Sequence, residues 1–323
     1  MSTKNEAESR DGVPLTNLDQ PLFDGAGATK RDLVEYLDSV RDRILPVLED
    51  RPLSVIRVHR GQEAFMQKNV PKYTPDWVRT VRMWAESSNR EVSYALCNDR
   101  RTLLWFANQR AIEYHPALVR VGKPDRITHL VLDLDPPEAD AFAMAVRAAR
   151  AVRQALTDVG LVGAVKTSGA KGLHVFVPID DDASFEDAAA ATRAIARRAE
   201  QLDPDIATTA FVKADRGGKV FVDSTRVGGA TVIAAYSPRV RPDVPVSFPL
   251  AWDDLDDITP AEFTVHTALS QLGDRDPWRD QMPDPQQLPA DLMEEGHAIP
   301  VARVQAIHEG KRRARAARES ADE

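Results

Sequence analysis

The chain has 323 residues, 43% of them hydrophobic, and a formal net charge of −8, a composition that excludes a wholly disordered protein and allows one large core or two modest ones. The single cysteine, Cys97, excludes an intramolecular disulfide and a cysteine zinc cluster, and no apolar run has membrane-spanning length or a signal-peptide pattern, so a reducing cytoplasm is the expected setting. The negative total hides a segregation of charge: Arg51 to Lys123 holds 13 Lys or Arg against 6 Asp or Glu, whereas Trp252 to Glu294 holds 11 Asp or Glu against 2 Arg. A basic, phosphate-binding face is therefore compatible with an acidic protein.

In chain order, residues 1–13 are polar and aperiodic and are expected to be a disordered leader, followed by an irregular entry from Leu15 to Ala28. Thr29 is placed to cap a helix in which Leu33, Val34, Leu37, Val40, Ile44 and Leu45 recur at helical spacing before Pro46. Short β-rich runs follow at Ser54 to His59, Tyr94 to Cys97, His129 to Asp133, Ala164 to Lys166, His174 to Pro178 and Val220 to Asp223. Two Ala- and Arg-rich segments, Ala141 to Val159 and Phe185 to Leu202, have helical periodicity. The alternation points to an α+β fold, a sheet with helices packed against one side. Residues 14–280 are expected to form the catalytic domain. Residues 281–323, Pro- and Gln-rich from Gln281 to Pro289 and basic from Lys311 to Arg318, are expected to be a C-terminal arm and tail.

Three motifs carry chemistry. His129-Leu-Val-Leu-Asp-Leu-Asp-Pro-Pro is an apolar strand ending in Asp133 and Asp135. Side chains two apart on a strand share a face, so both carboxylates project together and call for a divalent cation or a basic partner. Lys166-Thr-Ser-Gly-Ala-Lys-Gly-Leu-His joins two β runs through a Gly-containing turn that presents Ser168, Lys171 and His174, donors suited to a triphosphate but not in P-loop order. Lys219-Val-Phe-Val-Asp-Ser-Thr-Arg ends a further strand in Asp223, with Arg226 beyond it. Three strand-end carboxylates suit two-metal phosphoryl transfer, and the planar guanidinium groups of Arg226, Arg239 and Arg241 suit phosphate oxygens.

In this order the motifs resemble the polymerase domain of bacterial ATP-dependent ligase D, a branch of the archaeo-eukaryotic primase superfamily. The resemblance runs from about Leu15 to Leu272, through Leu132-Asp-Leu-Asp-Pro, Thr167-Ser-Gly-Ala-Lys-Gly-Leu-His, Val220-Phe-Val-Asp and Ala235-Tyr-Ser-Pro-Arg, with Phe65-Met-Gln-Lys-Asn and Glu113-Tyr-His-Pro in support. It implies a primase-type core, a curved antiparallel RRM-like sheet with flanking helices and an additional α/β module. It implies Mn2+ or Mg2+ at Asp133, Asp135 and Asp223, and a nucleoside triphosphate held by Ser168, Lys171, His174, Arg226 and Arg239 with His115 beside it. Phe65 matches an aromatic that stacks near the template, and Lys30, Arg60 and Lys68 are the expected DNA contacts.

The activity so implied is template-dependent extension of 3′ ends at short gaps or breaks in DNA repair, with ribonucleotides preferred. The chain is expected to act as a monomer beside a separate ATP-dependent ligase and Ku. Relatives that grip a 5′ phosphate use two N-terminal lysines, whereas here the matching positions are Gln20 and Lys30. Ala64 also stands where relatives carry a second aromatic. Two alternatives are a haloacid-dehalogenase-like phosphatase, which also ends a strand in Asp-x-Asp, and a catalytically silent DNA-end module that recruits Ku or a ligase.

Overall fold

The computed structural model describes residues 8–59, 61–85, 90–180, 182–227 and 231–301. Regular structure begins earlier than expected, because β1 (Ser9–Arg10) and β2 (Val13–Pro14) form an antiparallel hairpin. Val13 and Leu15 are buried, so the part of the leader from residue 8 onward is folded; residues 1–7 lie outside the described residues. Thr29 caps α1 (Lys30–Ser39) in a capping box with Asp32. The expected single helix is divided at Val40, where α2 (Arg41–Leu48) begins with Pro46 inside it. Leu33, Val34, Leu37, Val40, Ile44 and Leu48 of the pair are fully buried.

β3 (Leu53–Arg57) is central to the first sheet, pairing antiparallel with β4 (Phe65–Gln67), β6 (Arg90–Ala95) and β7 (Ala111–Pro116); β5 (Thr80–Ala85) pairs with β6. Between β6 and β7 lies α3 (Arg100–Asn108), capped by Asp99 and packed on α1. The remaining elements are β8 (His129–Asp135), α4 (Phe142–Thr157), β9 (Ala164–Thr167), β10 (Leu173–Pro178), α5 (Phe185–Leu202), β11 (Ala207–Thr208), β12 (Val220–Asp223), β13 (Pro249–Leu250), α6 (Ala268–Leu272), α7 (Pro277–Gln281) and α8 (Ala290–Ala298).

The chain forms two compact units. Residues 1–128, 164–170 and 229–282 make the first, which contains the β3-centred sheet, α1 to α3 and the antiparallel pair of β9 with β13. The described residues within 129–163, 171–227 and 283–301 make the second, where the strands run in the order β11, β12, β8, β10. β8 is antiparallel to both neighbours, and only β11 and β12 are parallel. α4 packs on β8, β10 and β12, and α5 on β8 and β12; their many alanines permit close approach.

Of the segment expected to be an arm, residues 283–301 belong to the second unit. Gln286 bridges to Ile179 and exchanges hydrogen bonds with the backbone of Val162, and α8 packs along α5. Gly296 rests against the carbonyl of Ala190, where an added Cβ has no room. The basic run from Lys311 to Arg318 lies outside the described residues.

Candidate metal and nucleotide site

In the second unit, β8 carries Asp133 and Asp135 on one face, as strand periodicity requires. The neighbouring strands complete that face: Asp223 on β12 and His174 on β10 are both in direct register with Asp133, one on each side. Four chemistry-bearing residues from three strands are thereby collected. Gly172 permits the approach of β10 to β8, because a Cβ there would collide with the carbonyl of Leu134.

Each carboxylate meets a cation. Asp133 receives Arg226 Nη2 and Nε on Oδ2 at 2.7 and 3.1 Å, and His174 Nε2 lies 3.3 Å from its Oδ1. Burial opposes ionisation of Asp133, but His174 and Arg226 outweigh it and hold the carboxyl well below the usual carboxylate range. Asp223 accepts the backbone N–H and the hydroxyl of Thr225 on Oδ1, while Arg226 Nε approaches its Oδ2 at 3.3 Å. Asp135 is paired with Lys171 at 3.1 Å and Arg216 at 3.3 Å, and Arg216 also lies over the ring of Phe221.

Hard carboxylate oxygens in this number and register are the donor set a divalent cation requires. The residues fit such an ion. As they stand, however, the carboxylates are turned to basic side chains, and among the described residues no three acidic, histidine or cysteine side chains are arranged as a formed coordination shell. Sequence reasoning assigned Lys171, His174 and Arg226 to a triphosphate; in the structure all three lie against the acids. It missed Arg216, whose proximity to Asp135 no local pattern signals.

In the first unit, His115, Ser168 and Arg239 gather around a residue singled out only as part of a motif, Glu113. Its buried carboxylate accepts His115 Nε2 at 2.9 Å and the Val240 N–H at 2.8 Å, with Arg239 Nε at 3.3 Å. Burial opposes the charge on Glu113, but His115, Arg239 and Val240 together keep its carboxyl below the ordinary value. Arg239 Nη1 reaches the carbonyl of Ser168 at 3.4 Å. Gly169, at φ +68°, packs on the Arg239 side chain so closely that any Cβ would displace it.

The expected DNA contacts are less uniform. Phe65 on β4 is 37% exposed, near His59 and beneath Arg57, and so is not a core residue. Lys68 is half-buried just beyond β4, and Arg60 lies outside the described residues. Lys30 contrasts sharply, being only 3% exposed with its ammonium donating to the Thr16 carbonyl and Asn108 Oδ1. Burial, with a smaller contribution from Arg110, lowers its pKa to about 8. Gln20 Oε1 accepts from Arg110. A phosphate reaching Lys30 would have to displace its present acceptors.

A family model described as LigD, primase-polymerase domain, matches residues 29–278. The chain is 34% identical over 265 residues to the bifunctional non-homologous end joining protein LigD of Bacillus subtilis, covering 80% of this chain and 42% of that protein. It is 35% identical over 275 residues to the multifunctional non-homologous end joining protein LigD of Mycobacterium bovis, covering 82% and 36% respectively. The chain thus spans less than half the length of these relatives. Among solved structures, the polymerase domain from Mycobacterium tuberculosis ligase D in complex with DNA matches with a TM-score of 0.74 and 35% identity, covering 82% of this chain and 95% of that one.

Proposed function

The chain belongs to the LigD primase-polymerase domain family, and on that premise we propose that it is a template-dependent nucleotidyltransferase that extends 3′ ends at short gaps or breaks during DNA repair. The observation that carries this reading is the row of Asp223, Asp133 and His174 across three strands, with Asp135 beside it on the same face. A silent DNA-end module would have no need of a half-buried Asp133 held in its ionised form by His174 and Arg226.

Asp133, Asp135 and Asp223 would hold Mn2+ or Mg2+, which when bound would supply charge stabilisation for phosphoryl transfer. His174 and Thr225 orient Asp133 and Asp223 through the oxygens they contact. Ser168, Arg239 and His115 bind the incoming nucleotide, Lys171 contributes positive charge near Asp135, and Phe65 stacks on template bases. Ribonucleotides are the preferred substrates, and a ligase and Ku are the partner classes; the relatives' names give non-homologous end joining as the process.

The test is extension of a labelled primer on gapped duplexes, with ribo- and deoxynucleotides in parallel and Mn2+ or Mg2+ supplied. Metal-dependent addition directed by the template, and lost in Asp133→Ala, is the expected result. Template binding without addition under any of these conditions would favour the recruiting module instead.

A further inference from the structure

A single guanidinium spans the two acids that face each other across β8 and β12. Arg226 places Nη2 and Nε on Asp133 Oδ2 and sets Nε 3.3 Å from Asp223 Oδ2. Two carboxylates in opposed register on one sheet face repel each other, and this side chain supplies the compensating charge that a divalent cation would otherwise supply.

The remaining oxygens are secured separately. Asp133 Oδ1 has His174 near it, and Asp223 Oδ1 accepts both the N–H and the hydroxyl of Thr225. Withdrawal of Arg226 would therefore free the two Oδ2 atoms while leaving each carboxylate oriented. Arg226 is also placed to move: it lies on the single 3-10 turn Thr225–Val227 just after β12, and its side chain is 39% exposed. Lys171 and Arg216 differ, since each contacts one oxygen of Asp135 and neither spans two acids.

We propose that Arg226 is an exchangeable counter-ion, holding Asp133 and Asp223 together in the metal-free protein and giving up Asp133 Oδ2 when a divalent cation binds. The inference rests on the reading of these acids as metal ligands. Metal affinity then reflects a competition, and the residue that the motif assigns to nucleotide sets the metal concentration at which the site forms.

The experiment titrates Mn2+ into the full chain without nucleotide or DNA, following free Mn2+ by electron paramagnetic resonance. Wild type, Arg226→Gln, Arg226→Lys, Lys219→Gln and Asp133→Asn are compared. Arg226→Gln should bind Mn2+ about tenfold more tightly than wild type. Arg226→Lys keeps the charge but reaches only one acid, and should show a smaller gain. Lys219→Gln, which removes from the same unit a charge that contacts the Pro204 carbonyl and none of the three acids, should change little. Without metal, Arg226→Gln should melt below wild type, and saturating Mn2+ should close that gap.

Equal or weaker Mn2+ binding by both Arg226 variants would overturn the exchange while leaving the metal reading intact. Equal tightening by Lys219→Gln would reduce the effect to net charge and overturn it as well. If wild type and Asp133→Asn bind Mn2+ identically, the acids are not the ligands, and the exchange falls with the reading beneath it.

Discussion

Asp223 lies directly opposite Asp133 across the antiparallel β8–β12 ladder, with His174 opposite Asp133 on the other side. Three strands distant in sequence thus converge on one carboxylate, and substitution there should act on chemistry rather than on DNA binding. Asp133→Ala or Asp135→Ala should reduce nucleotide addition by about a thousandfold or more, because metal-assisted charge stabilisation is worth several kcal/mol of barrier. Primer-template affinity, measured by fluorescence anisotropy, should stay near wild type. Residual extension above about a tenth of wild type would remove these residues from the reacting centre.

Arg239 is proposed to bind the nucleotide and Lys171 to supply charge beside Asp135, and they start from different partners. Arg239 lies against Glu113 and the Ser168 carbonyl, whereas Lys171 lies on Asp135 and the Pro136 carbonyl. Neutralising Arg239 should raise the nucleotide KM by roughly tenfold or more through loss of a charge-assisted contact, with primer-template affinity unchanged. Lys171→Ala should raise KM and also alter the metal requirement, since it removes a cation paired with Asp135. An unchanged KM with weakened DNA binding would place either residue on the duplex.

Lys30 offers a test by pH. Its pKa is about 8 in the folded protein against an ordinary 10.5, because burial disfavours the charged form. Between these values the unfolded chain holds the extra proton. Stability should therefore rise between pH 8 and 10.5, level off above, and lose this contribution as pH falls through 8, with a slope of at most about 1.4 kcal/mol per pH unit. Lys30→Met should remove that slope in denaturant unfolding. If it leaves the slope intact but abolishes a preference for 5′-phosphorylated gaps, the ammonium serves DNA rather than the fold.

The contact of Gly296 with the Ala190 carbonyl predicts that α8 is integral to the second unit. Gly296→Ala should separate α8 from α5 and cost about 1–3 kcal/mol, as overpacking commonly does. Calorimetry should show a lowered Tm. An unchanged Tm would mean that the segment is dispensable after all.

Much of this protein is legible locally. Asp133 and Asp135 share a face because a strand repeats every two residues. Thr29 caps α1 because its side chain is within reach of the Asp32 N–H. The Phe185 to Leu202 segment is helical over its whole expected span because its periodicity is long and uninterrupted. The resemblance to the ligase D polymerase domain, carried by ordered motifs, likewise stands on sequence alone.

What only the tertiary structure decides is which charges meet. Lys171, His174 and Arg226 read as phosphate ligands from their motifs, and the fold sets each of them against a strand-end carboxylate. Lys30 reads as a DNA contact but donates to Thr16 and Asn108, and of residues 281–323, which read as an arm and tail, residues 283–301 belong to the second unit. Arg216 carries no local signal, and Glu113 none beyond its place in a motif. Secondary structure follows from periodicity and capping within a few residues, whereas an ionic partner is selected by register and burial between segments far apart in the chain, where repulsion or desolvation must be compensated by whichever opposite charge the fold brings near.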